Sequence, residues 1–137
     1  MIGDAVLIDT NILLDIFTQD AKWFDWSSTA VRNAIDDSVA VINPIIYAEV
    51  SVHFSAIEEL DFKLPADQFR RDDLPWPAAF LAGKAYRIYR RGAGVKRSPM
   101  PDFYIGAHAA VAGFRLLTRD PTLYRSYFPT VKLLSPG

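Results

Sequence analysis

A chain of 137 residues, half of them apolar and with mean hydropathy +0.07, is long enough for one hydrophobic core and too short for two, so residues 1–137 are expected to form a single domain. With no cysteine, no apolar run near the roughly 18 residues of a membrane span, and Asp4 and Asp9 where a secretory leader wants a basic start and apolar middle, disulfides, thiolate metal sites and membrane insertion are excluded and a cytoplasmic location is expected. The net charge of −1 hides a split: residues 1–70 carry 12 acids against 4 bases, and residues 71–137 carry 4 acids against 11 bases. That asymmetry fits either an acidic site beside a basic surface that meets a polyanion, or opposite charges that meet across the fold or a subunit contact.

Taken in order, the chain alternates strand and helix. Ala5 to Asp9 reads as a buried parallel strand, because Val6, Leu7 and Ile8 are consecutive apolar residues without alternation. Thr10 or Asn11 then caps a short helix through Phe17, and a second helix is expected from Trp23 to about Asp37. Val39 to Ile42 is a second buried strand. Asn43-Pro44 is a helix-start signature, since the amide accepts from a free N–H and proline at the first helical position lacks only an N–H that would have no partner. This helix is expected to run to about Ile57.

Residues 59–76, with Pro65 and Pro75, suggest a short helix and an edge strand near Arg70 to Leu74. Pro77 opens a helix ending at Gly92, with Phe80, Leu81, Ala85, Ile88 and Tyr89 as its apolar face and Lys84, Arg87 and Arg91 opposite. A basic, glycine-containing loop follows to Met100. Pro99 or Pro101 begins a helix to about Gly113, along which Ile105, Gly106, Ala109, Ala110 and Gly113 form a face of small residues suited to close packing. Arg115 to Thr118 is a third strand, Pro121 opens a helical turn toward Tyr127, and Val131 to Leu134 is a last strand. Strands alternating with helices predict an α/β sandwich with a mostly parallel sheet.

In such sheets ligands bind at the carboxyl ends of the strands, and four acids fall there. Asp9 ends the first strand. Glu49 lies in the helix after the second strand with Ile45, Ile46 and Val52 as its helical neighbours, Asp102 heads the small-residue helix, and Asp120 follows the third strand. Each acid taken singly is explained as well by a helix cap, a dipole contact or an arginine partner. Four converging carboxylates repel one another and need cations. With only oxygen donors, His53 and His108 available, Mg2+ or Mn2+ meets that need, and hydrolysis of a phosphate ester is the natural reaction. His53, one turn after Glu49 and without a second histidine nearby, reads as a packed or surface residue.

Asp9-Thr10-Asn11, Tyr47-Ala48-Glu49, Pro101-Asp102-Phe103-Tyr104-Ile105-Gly106-Ala107 and Leu117-Thr118-Arg119-Asp120 together resemble the PIN-domain ribonucleases, and among them the VapC toxins of bacterial toxin-antitoxin pairs. The resemblance covers essentially the whole chain. It implies a PIN-like three-layer sandwich with a mostly parallel five-stranded sheet flanked by helices, and a Mg2+- or Mn2+-dependent endoribonuclease. It further implies a homodimer and a cognate VapB-type antitoxin in a higher complex. Carried over, Asp9, Glu49 and Asp102 are the core metal-binding acids and Asp120 a fourth. Thr118 matches a hydroxyl that organises the site, and Asn11 a polar position beside the first acid.

An acidic site repels RNA until a cation is bound, so basic groups must hold the strand nearby. Lys84, Arg87 and Arg91, with Lys96 and Arg97 in the next loop and Arg119 beside the site, are the expected phosphate contacts, against the plainer reading of a solvated helix face. Trp23 and Trp26 fit a partner groove. Rival readings are a PIN-type nuclease outside a toxin-antitoxin pair, a non-catalytic RNA-binding domain, and a phosphoacceptor using Asp9. The last lacks the second acid two residues on, where Asn11 stands, and lacks a lysine at the end of a late strand.

Overall fold

A computed structural model describes residues 4–93 and 100–137. The elements run β1 (Ala5–Ile8), α1 (Thr10–Phe17), α2 (Phe24–Asp37), β2 (Val39–Ile42), α3 (Pro44–Ser51), α4 (Ile57–Lys63), β3 (Phe69–Arg71), α5 (Trp76–Ala93), α6 (Met100–Ala112), β4 (Arg115–Leu117), α7 (Thr122–Tyr127) and β5 (Leu133–Leu134). The strands form one five-stranded sheet in the order β3-β2-β1-β4-β5, and every pairing is parallel. This is the α/β sandwich expected from the sequence, with the edge strand displaced toward Phe69.

β1 sits in the middle because nothing in it tolerates water. All four of its residues are buried, Leu7 and Ile8 completely, as in a strand covered on both faces. Val41 and Ile42 on one side and Leu116 and Leu117 on the other extend the same apolar layer. The chain first builds outward from β1 through β2 to β3, then crosses back to lay β4 against β1's free edge. The order therefore reverses between β1 and β4, and the carboxyl ends of those two strands flank the crevice where open α/β sheets take ligands.

Three expectations are corrected. Asp9 itself caps α1, its Oδ1 accepting the Thr10 N–H at 2.7 Å, and Thr10 and Asn11 are left for other partners. The helix after Asn43 ends at Ser51 and not near Ile57; a new one starts at Ile57, where Glu59 Oε1 accepts the N–H groups of Ser55 and Ala56 at 3.1 and 3.3 Å and fixes a fresh N-terminus. The buried stripe of α5 is made of Ala78, Ala82 and Ala85 with Leu81, Tyr86 and Tyr89 beside them, whereas Phe80 and Ile88 are 69% and 57% exposed. Alanines let α5 lie close against α6, and that narrow contact leaves the larger apolar residues outside.

The small-residue helix α6 uses its glycine against α7. A Cβ built on Gly106 would stand 2.4 Å from Phe128 Cδ2 and 3.0 Å from Tyr124 Cδ1. Gly106→Ala is therefore expected to lower stability by about 1–3 kcal/mol through overpacking, read as a drop in the urea midpoint. Around this contact Tyr86, Tyr89, Phe103, Tyr127 and Phe128 form an aromatic cluster joining α5, α6 and α7, with ring centroids 5.3–6.1 Å apart.

Candidate active site at the carboxyl edge of the sheet

Asp9 lies at the reversal point. Its peptide N–H continues the sheet by donating to Leu117 O at 2.9 Å, which leaves its side chain at the mouth of the β1–β4 crevice with 3% exposure. A carboxylate so deeply buried needs donors, and it has them from distant parts of the chain. Oδ2 accepts the hydroxyls of Thr118 at 2.8 Å and Tyr124 at 3.0 Å, and the Asn11 amide at 3.4 Å; Oδ1 accepts the Thr10 N–H. Even so, burial pushes the Asp9 carboxyl up to about 6, the hydrogen bonds opposing the rise and Glu49 adding to it.

The other three acids stand around it, each more exposed than Asp9. Asp102, in the first turn of α6, is partly buried and accepts no hydrogen bond from a described residue. Its carboxyl is pushed up to about 7, first by burial and then by repulsion from Asp9, Glu49 and Asp120. Glu49 is half-buried on α3, and its Oε1 accepts the Thr10 hydroxyl at 2.6 Å. Asp120 is exposed, on the turn after β4, its N–H donating to Thr118 Oγ1 at 3.1 Å. Asp9, Asp102 and Asp120 line one open cleft of about 440 Å³ together with Asn11, Tyr89 and Tyr124. Glu49 is outside that lining and is joined to it through Thr10.

Among the described residues no three His, Asp or Glu side chains stand close enough together to cage an ion outright. The donor set nevertheless fits a small hard cation. It is entirely oxygen, Asp102 is repelled by Asp9, Glu49 and Asp120 together, and Mg2+ is commonly held by only one or two carboxylates and several waters.

Several residues of this arrangement carry no obvious mark in the sequence. Thr10 bridges α1 to Glu49. Tyr124 reaches Asp9 from α7, and burial beside Asp9 and Asp102 holds its hydroxyl well above the usual 10.0, so it remains a donor at any working pH. Asp15 is 2% exposed, on the buried side of α1, where it accepts from Ser27 Oγ at 2.7 Å and from Arg119 Nε and Nη2 at 2.8 and 2.9 Å. Arg119 also lies over the Trp23 ring, 5.3 Å from its centroid, and its peptide N–H donates to Asn11 Oδ1 at 3.2 Å. One edge of its guanidinium, Nε with Nη2, is thus committed to Asp15, and one face to Trp23. Asn11 in turn spans the crevice, holding Asp9 and Thr118 with one end and the Arg119 backbone with the other.

Behind α3, Asn43 caps the helix, its Oδ1 accepting from Ile46 N at 3.0 Å while its Nδ2 donates to Nδ1 of buried His108 at 2.9 Å. Burial lowers the basicity of His108, which suits a neutral ring accepting that bond. The helix bearing Glu49 is so pinned to α6, which bears Asp102. His53 is exposed.

Of the basic residues expected to meet phosphate, Lys84, Arg87 and Arg91 are exposed on α5, the helix whose Tyr89 lines the cleft. Lys96 and Arg97 lie outside the described residues. Trp23 and Trp26 pack edge to face with centroids 6.4 Å apart. No helix among the described residues is long and apolar enough to cross a membrane.

Comparison with known proteins fits this geometry. No curated protein matches the sequence. Among solved structures, VapBC2 from Rickettsia felis, bound to a DNA fragment from its promoter, is similar at TM-score 0.70 and 18% identity, over 96% of this chain and 98% of that one. VapBC-1 from nontypeable Haemophilus influenzae is similar at TM-score 0.69 and 15% identity, over 96% and 97%. A toxin-antitoxin complex from Klebsiella pneumoniae is similar at TM-score 0.63 and 21% identity, over 96% and 98%. Identities this low speak to the fold alone. The family profile for the PIN domain matches residues 6–129, nearly the whole chain, and the protein belongs to the PIN domain family.

Proposed function

We propose that this chain is a Mg2+- or Mn2+-dependent endoribonuclease and the toxin of a VapBC-type toxin-antitoxin pair. The observation that carries the reading is the cleft at the β1–β4 reversal, where Asp9, Asp102 and Asp120 share one wall and Glu49 repels Asp102 from the adjoining helix. Membership of the PIN domain family supports nuclease chemistry. The similar structures, being toxin-antitoxin complexes, support an antitoxin partner.

Asp9, Glu49 and Asp102 would hold one cation, in part through its waters, with Asp120 holding or helping a second. A divalent ion there supplies positive charge to a phosphodiester and acidifies a water at neutral pH. The chain's own groups do the rest. Thr118 and Asn11 keep Asp9 in register, Thr10 keeps Glu49 turned toward α1, and the solvent-facing Asp120 would meet substrate-side charge. No histidine or lysine among the described residues lines the cleft, and proton removal would fall to the carboxylates. A cytoplasmic location and a homodimer accompany this reading.

Total RNA incubated with purified protein should be cut in Mn2+ and left intact in EDTA, giving 5′-phosphate and 3′-hydroxyl ends. Asp9→Asn should lower the rate about a thousandfold, the loss of several kcal/mol of charge stabilisation. Cleavage by Asp9→Asn at the wild-type rate refutes the assignment. Growth arrest relieved by co-expression of a small DNA-binding protein encoded beside it would support the toxin reading over a nuclease outside such a pair.

The RNA would run along α5. Reversing the charges of Lys84, Arg87 and Arg91 should weaken RNA binding and reduce the slope of log affinity against log salt by about 2, since each phosphate contact contributes roughly 0.7–0.9. An unchanged slope would remove α5 from the footprint. Lys96 and Arg97 belong to the same expected surface, and Arg119, given its pairing with Asp15, would contribute mainly by holding its loop.

A further inference from the structure

Helix α7 brings no acid to the site, yet its Tyr124 is only 2% exposed and ends on Asp9, a carboxylate itself only 3% exposed. The distribution of donors on Asp9 is uneven. Oδ2 accepts from Thr118 Oγ1 at 2.8 Å, Tyr124 OH at 3.0 Å and Asn11 Nδ2 at 3.4 Å, three donors from three segments. Oδ1 accepts one, the Thr10 N–H at 2.7 Å. A carboxylate oxygen offers about two lone-pair directions, so Oδ2 is filled and Oδ1 keeps one open.

The seat of Tyr124 is built for this contact. Its ring lies against Gly106, one turn beyond Asp102 on α6, where a Cβ would meet Tyr124 Cδ1 at 3.0 Å and Phe128 Cδ2 at 2.4 Å. Only a residue without a side chain lets the ring pass α6 and reach Asp9. The choice of a phenol also matters. A lysine or arginine at this place would neutralise Asp9 and compete with a cation, whereas a neutral hydroxyl fixes the carboxylate and leaves its charge available.

We propose that Tyr124 is a positioning residue, seated by Gly106, whose hydroxyl holds Asp9 through Oδ2 so that Oδ1 is the oxygen presented to a divalent cation. The inference rests on the reading of Asp9 as a metal ligand. Tyr124 itself touches neither cation nor RNA.

Mn2+ binding measured by calorimetry on the purified protein tests it without reference to cleavage. Tyr124→Phe keeps the ring and its packing and removes only the hydroxyl. It should weaken Mn2+ binding about 10–100-fold, the usual effect of removing a group that orients a ligand. A tyrosine that merely fills the core would change the melting temperature and leave the Mn2+ Kd where it was; that outcome overturns the proposal. Asp9→Asn, titrated beside it, separates the two levels. Wild-type Mn2+ affinity in Asp9→Asn removes Asp9 from the ligands and the proposal with it, whereas loss of binding in Asp9→Asn with none in Tyr124→Phe overturns the positioning role alone. The unaltered protein gives an independent reading: the slowly exchanging Tyr124 hydroxyl proton should persist in its NMR spectrum at saturating Mg2+, and its disappearance on adding Mg2+ would mean that Oδ2 leaves the tyrosine for the ion.

Discussion

Arg119→Ala is expected to lower the unfolding free energy by about 3 kcal/mol and the melting temperature by roughly 10 °C. The arginine supplies two of the three side-chain hydrogen bonds to Asp15, whose side chain is 3% exposed, and its removal leaves a buried carboxylate with Ser27 alone. Breaking one partner of a buried pair commonly costs about 3–5 kcal/mol, and the 29% exposure of the Arg119 side chain places this pair at the low end. The double variant Asp15→Leu with Arg119→Met should recover most of the loss, because no charge is then stranded. Urea unfolding of the three proteins decides it. If Arg119→Ala unfolds within about 0.5 kcal/mol of wild type while RNA binding weakens, the residue is a phosphate contact and not a strut.

The metal-free protein should be more stable at pH 5 than at pH 8, the reverse of most proteins rich in paired carboxylates. Both Asp9 and Asp102 titrate near 3.8 in an unfolded chain and at about 6 and about 7 in the folded one. Between those limits the native state keeps protons that the unfolded state has released. The stability is therefore complete below about pH 4 and is lost as pH rises through 6 and 7. Between pH 5 and pH 8, with the Asp102 contribution halved for its partial exposure, the two together are worth about 2–4 kcal/mol. Saturating Mg2+ at pH 8 should restore much of this, a cation taking over from the protons, and Asp102→Asn should flatten the profile. Melting in EDTA that is equally or more stable at pH 8 would contradict the expectation.

The central strand and the edge where the acids gather were legible because both are local signals. Val6-Leu7-Ile8 has no polar alternation, and each of the four acids follows an apolar run or opens a helix. What holds the acids was not legible. Tyr124 meets Asp9 across 115 positions and Arg119 meets Asp15 across 104, separations at which periodicity carries no information. One signal was available: Asp15 stands among Ile12, Ile16 and Leu13 on a helix otherwise turned inward, and an acid on such a face asks for a cationic partner. On α5 apolar bulk does not mark the inside. Contact with α6 is set by how closely the backbones approach, which favours Ala78, Ala82 and Ala85 and strands Phe80 and Ile88.

The strand order also dictates when in the life of the chain the site can exist. Asp9 is made well before the residues that hold it: Thr118 and Tyr124 follow 109 and 115 residues later. At a synthesis rate of about 5–20 residues per second Asp9 waits about 5–20 s for its first long-range side-chain donor. A nascent chain holding β1, β2 and β3 lacks β4 and the turn that bears Asp120. The cleft thus assembles only once residues as far as Tyr124 have emerged, so a nascent chain that ends after β3 carries Asp9 and Glu49 without the crevice that makes them part of a site.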